Sequence, residues 1–512
     1  MVLTELVSFV VAALGLAWSF RGRLGALDAA VMRLADRLEE RRRVAMPIVL
    51  ALLCATSYGV LLGFPNSADE YAYVFQADTL RAGRLWNEPH PRPEFFPSAH
   101  IALKDGKFLS RFPPGWPMVL AAAGDLGLPY GVVNPLLAAC SLVVFYLLAR
   151  SWCGPRAAWL GILSLIGSAF FLLNGGSYFS HPLSMLATLC FAYFADRGEK
   201  TGRAGAGILA GLFIGLAFLT RPYTAVLMAA PVGLCLLADR SRRARLTLFW
   251  IFLGALPPLL FLFWYNREIT GNPLLMVTTW FDPEEHLGFT KGHTLARGVQ
   301  QLGEHLLDLI GWGSPALLPL FALLLIGGGR RKERLLYPYL FPALAVGYTF
   351  YYLKGGNRYG PRFYFEAYPF VVLYVVAGLT EGRRAFPPAA WRRPLLLLFL
   401  AGWLSALVTL PVRAGYEHRA VGERLDLYRL VERERLSNAA VLLKTGTGIL
   451  RRMPAGDLIR NGLSFDRPVL YAVDRGDENR RLMDFYPGRR FYRYERPPGE
   501  VHGRLTLLDR VL

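Results

Sequence analysis

The sequence predicts an all-α polytopic membrane protein of about twelve transmembrane helices, followed by a small C-terminal α/β extramembrane domain. Composition is one warrant: of 512 residues, 54% are hydrophobic and 13% aromatic, and the mean hydropathy is +0.31. Distribution is another, because the apolar residues fall in runs of roughly 16 to 22, the length a helix needs to cross hydrocarbon. Charge is the last: short Arg-rich loops separate the runs and recur on one side only.

The first apolar run, Val2 to Phe20, has no basic segment before it and no small-residue cleavage site after it, so it reads as a retained helix. Arg21, Arg23, Arg33, Arg37, Arg41, Arg42 and Arg43 follow, on the cytoplasmic side. Leu24, Leu27, Val31, Leu34 and Leu38 recur among them at helical spacing, which predicts an amphipathic helix lying in the membrane plane. Residues 1–43 therefore form a distinct N-terminal unit.

Further spans are predicted at 44–63, 130–149, 157–173, 182–195, 205–220, 221–238, 246–265, 314–328, 335–353, 363–380 and 394–411. Loops on the cytoplasmic side hold Arg150 and Arg156; Arg197, Lys200 and Arg203; Arg240, Arg242, Arg243 and Arg245; Arg330, Arg331, Lys332 and Arg334; and Arg383, Arg384, Arg392 and Arg393. All the dense basic clusters thus share one side, as the positive-inside rule requires. The other side receives a first loop at 64–128, a second at 266–313 and a polar tail at 412–512. Val469 to Val473, with turn signals at Asp474-Arg475-Gly476 and Tyr486-Pro487-Gly488, give the tail its α/β reading. The eight histidines, at 90, 100, 181, 286, 293, 305, 418 and 502, also land outside.

Several function classes drop out. A net charge of +19 would suit nucleic acid if it formed one basic face, but here it is spread between spans and addresses topology and anionic membrane lipids. The five cysteines form no CxxC or disulfide framework. The cytoplasmic loops hold no phosphate-binding loop and are too short for a nucleotide-binding domain. Arg-, Ala- and Leu-rich usage points to a GC-rich bacterial genome, hence an inner membrane with the outer loops and C-terminus in the periplasm.

Chemistry-bearing residues concentrate where the second span exits, in Pro65-Asn66-Ser67-Ala68-Asp69-Glu70-Tyr71-Ala72-Tyr73. Two carboxylates at a membrane boundary must be solvated, paired or used. The bland alternative is that they favour the positive end of the helix they precede.

This segment resembles the first-loop signature of the GT-C superfamily of polyprenyl-phosphate-sugar glycosyltransferases, which includes protein O-mannosyltransferases and lipid A aminoarabinose transferases. Phe108 to Pro117, with its Pro113-Pro114 pair, is similar to the family's segment leading into a juxtamembrane helix. Gly211 to Pro222 is similar to its Gly-Leu-rich helix ending in a basic residue and Pro. Arg358-Tyr359-Gly360-Pro361-Arg362 resembles a C-terminal Arg-Tyr element. The resemblance spans roughly 44–411 and makes that stretch a GT-C-like catalytic module. Residues 1–43 depart from the usual plan, in which the acidic loop follows the first span.

The resemblance implies a membrane glycosyltransferase that takes a sugar from a polyprenyl-phosphate donor and passes it, with inversion, to a lipid, glycan or protein acceptor on the outer face. Asp69 would be the base, with Glu70 orienting the acceptor. Arg358, Arg362 and Arg221 would hold the donor phosphate by bidentate contacts. His181, Tyr71, Lys291, His293 and Tyr359 are further candidates for substrate contact. Metal dependence stays open: a divalent Mg or Mn ion would fall to Asp69 and Glu70, but no ligand spacing is diagnostic. A transporter or flippase of lipid-linked sugars and a polysaccharide polymerase or ligase remain as alternatives.

Overall fold

A computed structural model of the chain describes residues 2–21, 23–327, 337–352, 355, 358–380, 389–444, 458–497, 500 and 502–508. Helix α1 (Val2–Ser19) is followed by a turn of 110° into α2 (Leu24–Glu40). Helix α2 buries Leu27 and Ala35 and leaves Arg33 and Arg37 exposed, but Leu34 of the predicted apolar stripe is exposed as well. Its acids turn inward. Asp28 pairs with Arg392, Asp36 takes two hydrogen bonds from Arg156 at 2.8 and 2.9 Å, and Glu39 accepts from Tyr146 at 2.7 Å and Trp159 at 3.0 Å. Arg156 and Arg392, read as cytoplasmic from separate loops, thus converge on one helix. The clusters Arg330 to Arg334 and Arg383 to Arg384 lie outside the described residues.

Helix α3 (Arg42–Ala55) ends in a π turn, Thr56–Val60. The first outer loop contains α4 (Ala68–Arg81), a hairpin of β1 (Ile101–Lys104) and β2 (Lys107–Ser110), and α5 (Gly115–Asp125). Then come α6 (Tyr130–Cys153), α7 (Pro155–Ile166), α8 (Ala169–Gly176), α9 (His181–Thr201), α10 (Ala204–Thr220), α11 (Pro222–Ala238) and α12 (Arg242–Thr270). Helices α13 (Val277–Phe281) and α14 (Leu295–Trp312) occupy the stretch 266–313, before α15 (Leu317–Gly327), α16 (Leu340–Gly347), α17 (Tyr368–Thr380) and α18 (Ala389–Arg433). The Gly-rich α10 crosses α12 at backbone contact: a Cβ added at Gly211 would lie 2.1 Å from Ile251 O, and one at Gly254 2.2 Å from Ile208 O. Small residues permit such close crossings, which association in lipid exploits.

The expected count of about twelve spans is not reproduced. Among the described residues four helical segments are long and apolar enough to cross a membrane: Arg42–Val60, Tyr130–Ile166, Arg242–Thr270 and Trp391–Arg433. Two bent pairs, α1 with α2 and α14 with α15, raise this to at most six, and Ala204–Thr220, Pro222–Ala238 and Tyr368–Thr380 are shorter apolar helices. The reason is local. Hydropathy counts apolar residues but not breaks, and the stretch 157–173 divides where Ser168 caps a new helix by accepting from Phe171 N at 3.2 Å. Likewise the described residues of 335–353 hold the eight-residue α16 between two 3-10 turns.

Helix α18 runs straight through position 412, so the C-terminal sheet begins only at β3 (Ala439–Leu443). After it come α19 (Leu458–Asn461), β4 (Val469–Val473), α20 (Asn479–Phe485), β5 (Arg490–Glu495) and β6 (Arg504–Leu508). The strand order is β4-β3-β5-β6, with β3 parallel to β4 and β5 and with β6 antiparallel. Residues of β3 and β4 are buried throughout, the mark of strands covered on both faces. Ala439, Val441 and Leu443 share a core with Tyr428 of α18 and Tyr71 of α4, whereas Ala440 and Leu442 share one with Phe75, Phe95, Phe96 and Phe108. The acidic helix of the first loop therefore packs against the C-terminal sheet.

Candidate active site

The chain leaves the π turn through two left-handed residues, Leu62 at φ 55° and Gly63 at φ 58°, and so bends toward the start of α4. Ser67 caps that helix, its Oγ accepting from Glu70 N at 3.3 Å. Asp69 and Glu70 are successive helical residues, so their side chains leave the axis about 100° apart. That rotation sends the two carboxylates into different surroundings.

Asp69 Oδ1 lies 2.9 Å from His100 Nε2, and both terminal nitrogens of Arg362 donate to its Oδ2 at 3.3 Å. Crowding by protein would raise this carboxyl. The His100 hydrogen bond and the Arg362 charge outweigh that effect and hold Asp69 well below the usual carboxylate range. The Arg362 guanidinium stacks over Phe179 at 3.6 Å.

A second cluster adjoins through the same two chain segments. Glu366, fully buried, has His181 Nδ1 and Arg221 Nε each 3.2 Å from its Oε1, and Arg221 also donates to Tyr348 Oη at 3.3 Å. Tyr73 Oη lies 3.2 Å from Ser180 Oγ and joins α4 to this cluster.

Glu70 faces the other way. Its Oε2 accepts from Asn66 N at 2.6 Å and its Oε1 from Tyr178 N at 2.8 Å. Burial pushes its carboxyl up, against the charge of Arg358 and those two backbone donors. Asn66 donates to Tyr359 Oη at 3.2 Å and accepts from Arg424 at 2.6 Å, while Arg358 donates to Glu417 at 3.5 Å.

Of the residues singled out from sequence, Asp69 and Arg362 meet directly, and His181 and Arg221 meet on Glu366. Glu70, Tyr359 and Arg358 gather around Asn66 and Glu417 on the other side of α4. Tyr71 is buried edge-on against Phe64, their rings 6.0 Å apart. Exposed Lys291 engages Pro283 O at 2.9 Å and Glu284 at 3.6 Å, and His293 lies 2.8 Å from Thr349 O. His100 and Glu366 were not singled out. No spacing distinguishes His100 from the other outer histidines, but a lone carboxylate in a stretch read as a span is itself a functional flag, and Glu366 carried it.

The carboxylates do not suit a divalent ion. Asp69 is held by Arg362 and His100, Glu70 is held by backbone N–H groups, and among the described residues no group of three or more His, Cys, Asp or Glu is placed to bind a metal. No step below passes through a metal.

Residues 118–265, which include His181 and Arg221, match the model of the dolichyl-phosphate-mannose-protein mannosyltransferase family. The structure aligns with ArnT from Cupriavidus metallidurans bound to undecaprenyl phosphate at a TM-score of 0.56 and 13% identity, covering 89% of this chain and 93% of that one. ArnT from the same organism in the apo state aligns at 0.50 and 15% identity, covering 86% and 88%. No curated protein sequence matches the chain. The chain thus shares the ArnT fold over most of its length, and its long apolar helices make it a multi-pass membrane protein.

Proposed function

We propose that the chain transfers a sugar from a polyprenyl-phosphate donor to an acceptor on the periplasmic side of a bacterial inner membrane, with inversion and with Asp69 as base. The observation that carries this reading is the Asp69–Arg362 contact at 3.3 Å, with Arg221 close by on Glu366. A carboxylate held low by an arginine is a weak base while that arginine stays on it. A donor phosphate drawn onto Arg362 would take the guanidinium as its own partner and restore the basicity of Asp69. Asp69 then accepts the proton of the acceptor hydroxyl as that oxygen attacks the anomeric carbon. The bond from that carbon to the phosphate oxygen breaks on the opposite face, and polyprenyl phosphate departs with its charge against Arg362 and Arg221. His100 holds the Asp69 carboxylate in place, and Glu70 and Asn66 lock the turn that carries it.

The undecaprenyl phosphate bound to the ArnT relative in fold supports a lipid-phosphate donor. The test supplies radiolabelled polyprenyl-phosphate sugars to purified wild type and to Asp69→Asn. Transfer by wild type that the variant loses is the expected result. No transfer by wild type from any such donor removes the reading, and equal transfer by the variant removes Asp69 as the base.

A further inference from the structure

Glu5 is a carboxylate near the start of an otherwise apolar helix, and the proposed chemistry does not use it. It is 2% exposed, and its partner Arg413 on α18 is 3% exposed. Arg413 donates to Glu5 Oε1 from Nε at 3.2 Å and from Nη2 at 3.0 Å, Thr409 Oγ donates to Oε2 at 3.0 Å, and Ser405 Oγ donates to Glu5 O at 3.0 Å. Neutralising Glu5 is only half of what Arg413 does. Its Nη2 also donates to Gly311 O at 2.6 Å, and its guanidinium stacks over the Trp312 ring at 4.1 Å.

Trp312 in turn closes on the middle of the Arg358–Arg362 segment. A Cβ added at Gly360 would fall 2.9 Å from Trp312 Cγ and 2.8 Å from Phe170. Gly360 is left-handed at φ +91°, and Tyr359 before it sits at φ +55°, a costly conformation for a bulky residue. The loop that presents Arg358 and Arg362 is thus bent through backbone that must be held from outside. One turn beyond Arg413 on the same face of α18, Glu417 accepts from Arg358 at 3.5 Å. The loop is gripped at its centre by Trp312 and at its start by Glu417. Both grips trace back to the part of α18 that Glu5 anchors.

We propose that the extra N-terminal helix is a buttress for the arginine loop, with Glu5 and Arg413 as positioning residues that hold Trp312 against Gly360 and so set where Arg358 and Arg362 point. A desolvated ion pair contributes little net stability by itself, which fits a role in specifying geometry. The inference rests on the reading of those arginines as the donor-phosphate site.

The test is a titration of the full-length protein, in lipid nanodiscs, with undecaprenyl phosphate, alongside thermal unfolding. Wild type is expected to bind; no binding removes the donor reading and the buttress with it. Glu5→Gln is expected to weaken affinity roughly two- to thirtyfold, the range for residues that act on a site through packed neighbours. Trp312→Leu, which leaves the Glu5–Arg413 pair in place, is expected to weaken it similarly while leaving the unfolding temperature closer to that of wild type. The charge exchange Glu5→Arg with Arg413→Glu separates position from stability. It re-forms the pair and is expected to recover unfolding temperature but not affinity, because a carboxylate can neither donate to Gly311 O nor stack as a cation on Trp312. Wild-type affinity in either single variant, or full recovery of affinity in the exchange, overturns the proposal.

Discussion

At α2, Asp36 and Arg156 meet through two good hydrogen bonds with 43% and 54% of their side chains exposed, whereas Glu366 meets Arg221 with 0% and 16% exposed. Both are carboxylate–guanidinium pairs, yet they do different work. Water screens the first, so it contributes little and fastens α2 loosely beneath the bundle. The second has lost its hydration, so either partner without the other is an uncompensated charge in a poor solvent. Close ion pairing is therefore common to both regions, and burial is what makes one of the pairs costly to break.

That contrast can be broken or sharpened by substitution. Asp69→Asn should cost the most, about 10²- to 10⁴-fold in the rate of sugar transfer at wild-type expression, as removal of a general base does. Arg221→Leu should lower unfolding free energy by about 3 to 5 kcal/mol in chemical denaturation, because Glu366 then stays buried without its cation. Arg362→Lys keeps the charge but loses the two-pronged contact, and single-turnover transfer should slow by about 10²-fold. A smaller effect is expected at the seam between the first loop and the C-terminal sheet. There burial among Phe96, Phe465 and Phe485 lowers the pKa of His90, whose Nε2 lies 2.8 Å from Tyr486 Oη.

For His90 the folded chain favours the neutral ring, while the unfolded chain takes up a proton near pH 6.5. Its contribution is thus present above about pH 6.5 and is lost as pH falls below it. Protection of residues 90–96 and 465–486 against hydrogen exchange, corrected for the intrinsic rate at each pH, should fall between pH 7.5 and 5.5; unchanged protection would contradict the assignment. Smallest of all, Asp36→Asn should leave both the unfolding temperature and transfer unchanged. A clear loss there would mean that this pair is not a mere fastening.

Much of the site was legible because the Asp69-Glu70 pair and the Arg358 to Arg362 element are local patterns. Their contacts were not. Asp69 and Arg362 are 293 positions apart, and no period in the sequence says that Arg362, and not Arg358, meets Asp69. The two acids were read as base and as orienter of the acceptor, but the partners that each meets appeared only with the fold. Glu5 and Glu366 were legible in principle, as lone carboxylates in apolar stretches, but their weight came only with the arginines that answer them. The span count was not confirmed for the complementary reason: hydropathy sums over a run, and the breaks at Ser168 and around α16 depend on capping and tertiary packing.

By itself the sequence determined the apolar runs that become membrane helices, the short basic stretches between them, and the segment in which the acidic pair stands. Those properties are sums over neighbouring residues, and hydrophobic length and loop charge act wherever the chain is placed. Which carboxylate meets which arginine, how far each is stripped of water, and how an N-terminal helix comes to brace a loop near position 360 were decided by tertiary structure. Pairing and desolvation are properties of distance and burial, and both exist only once remote segments are packed together.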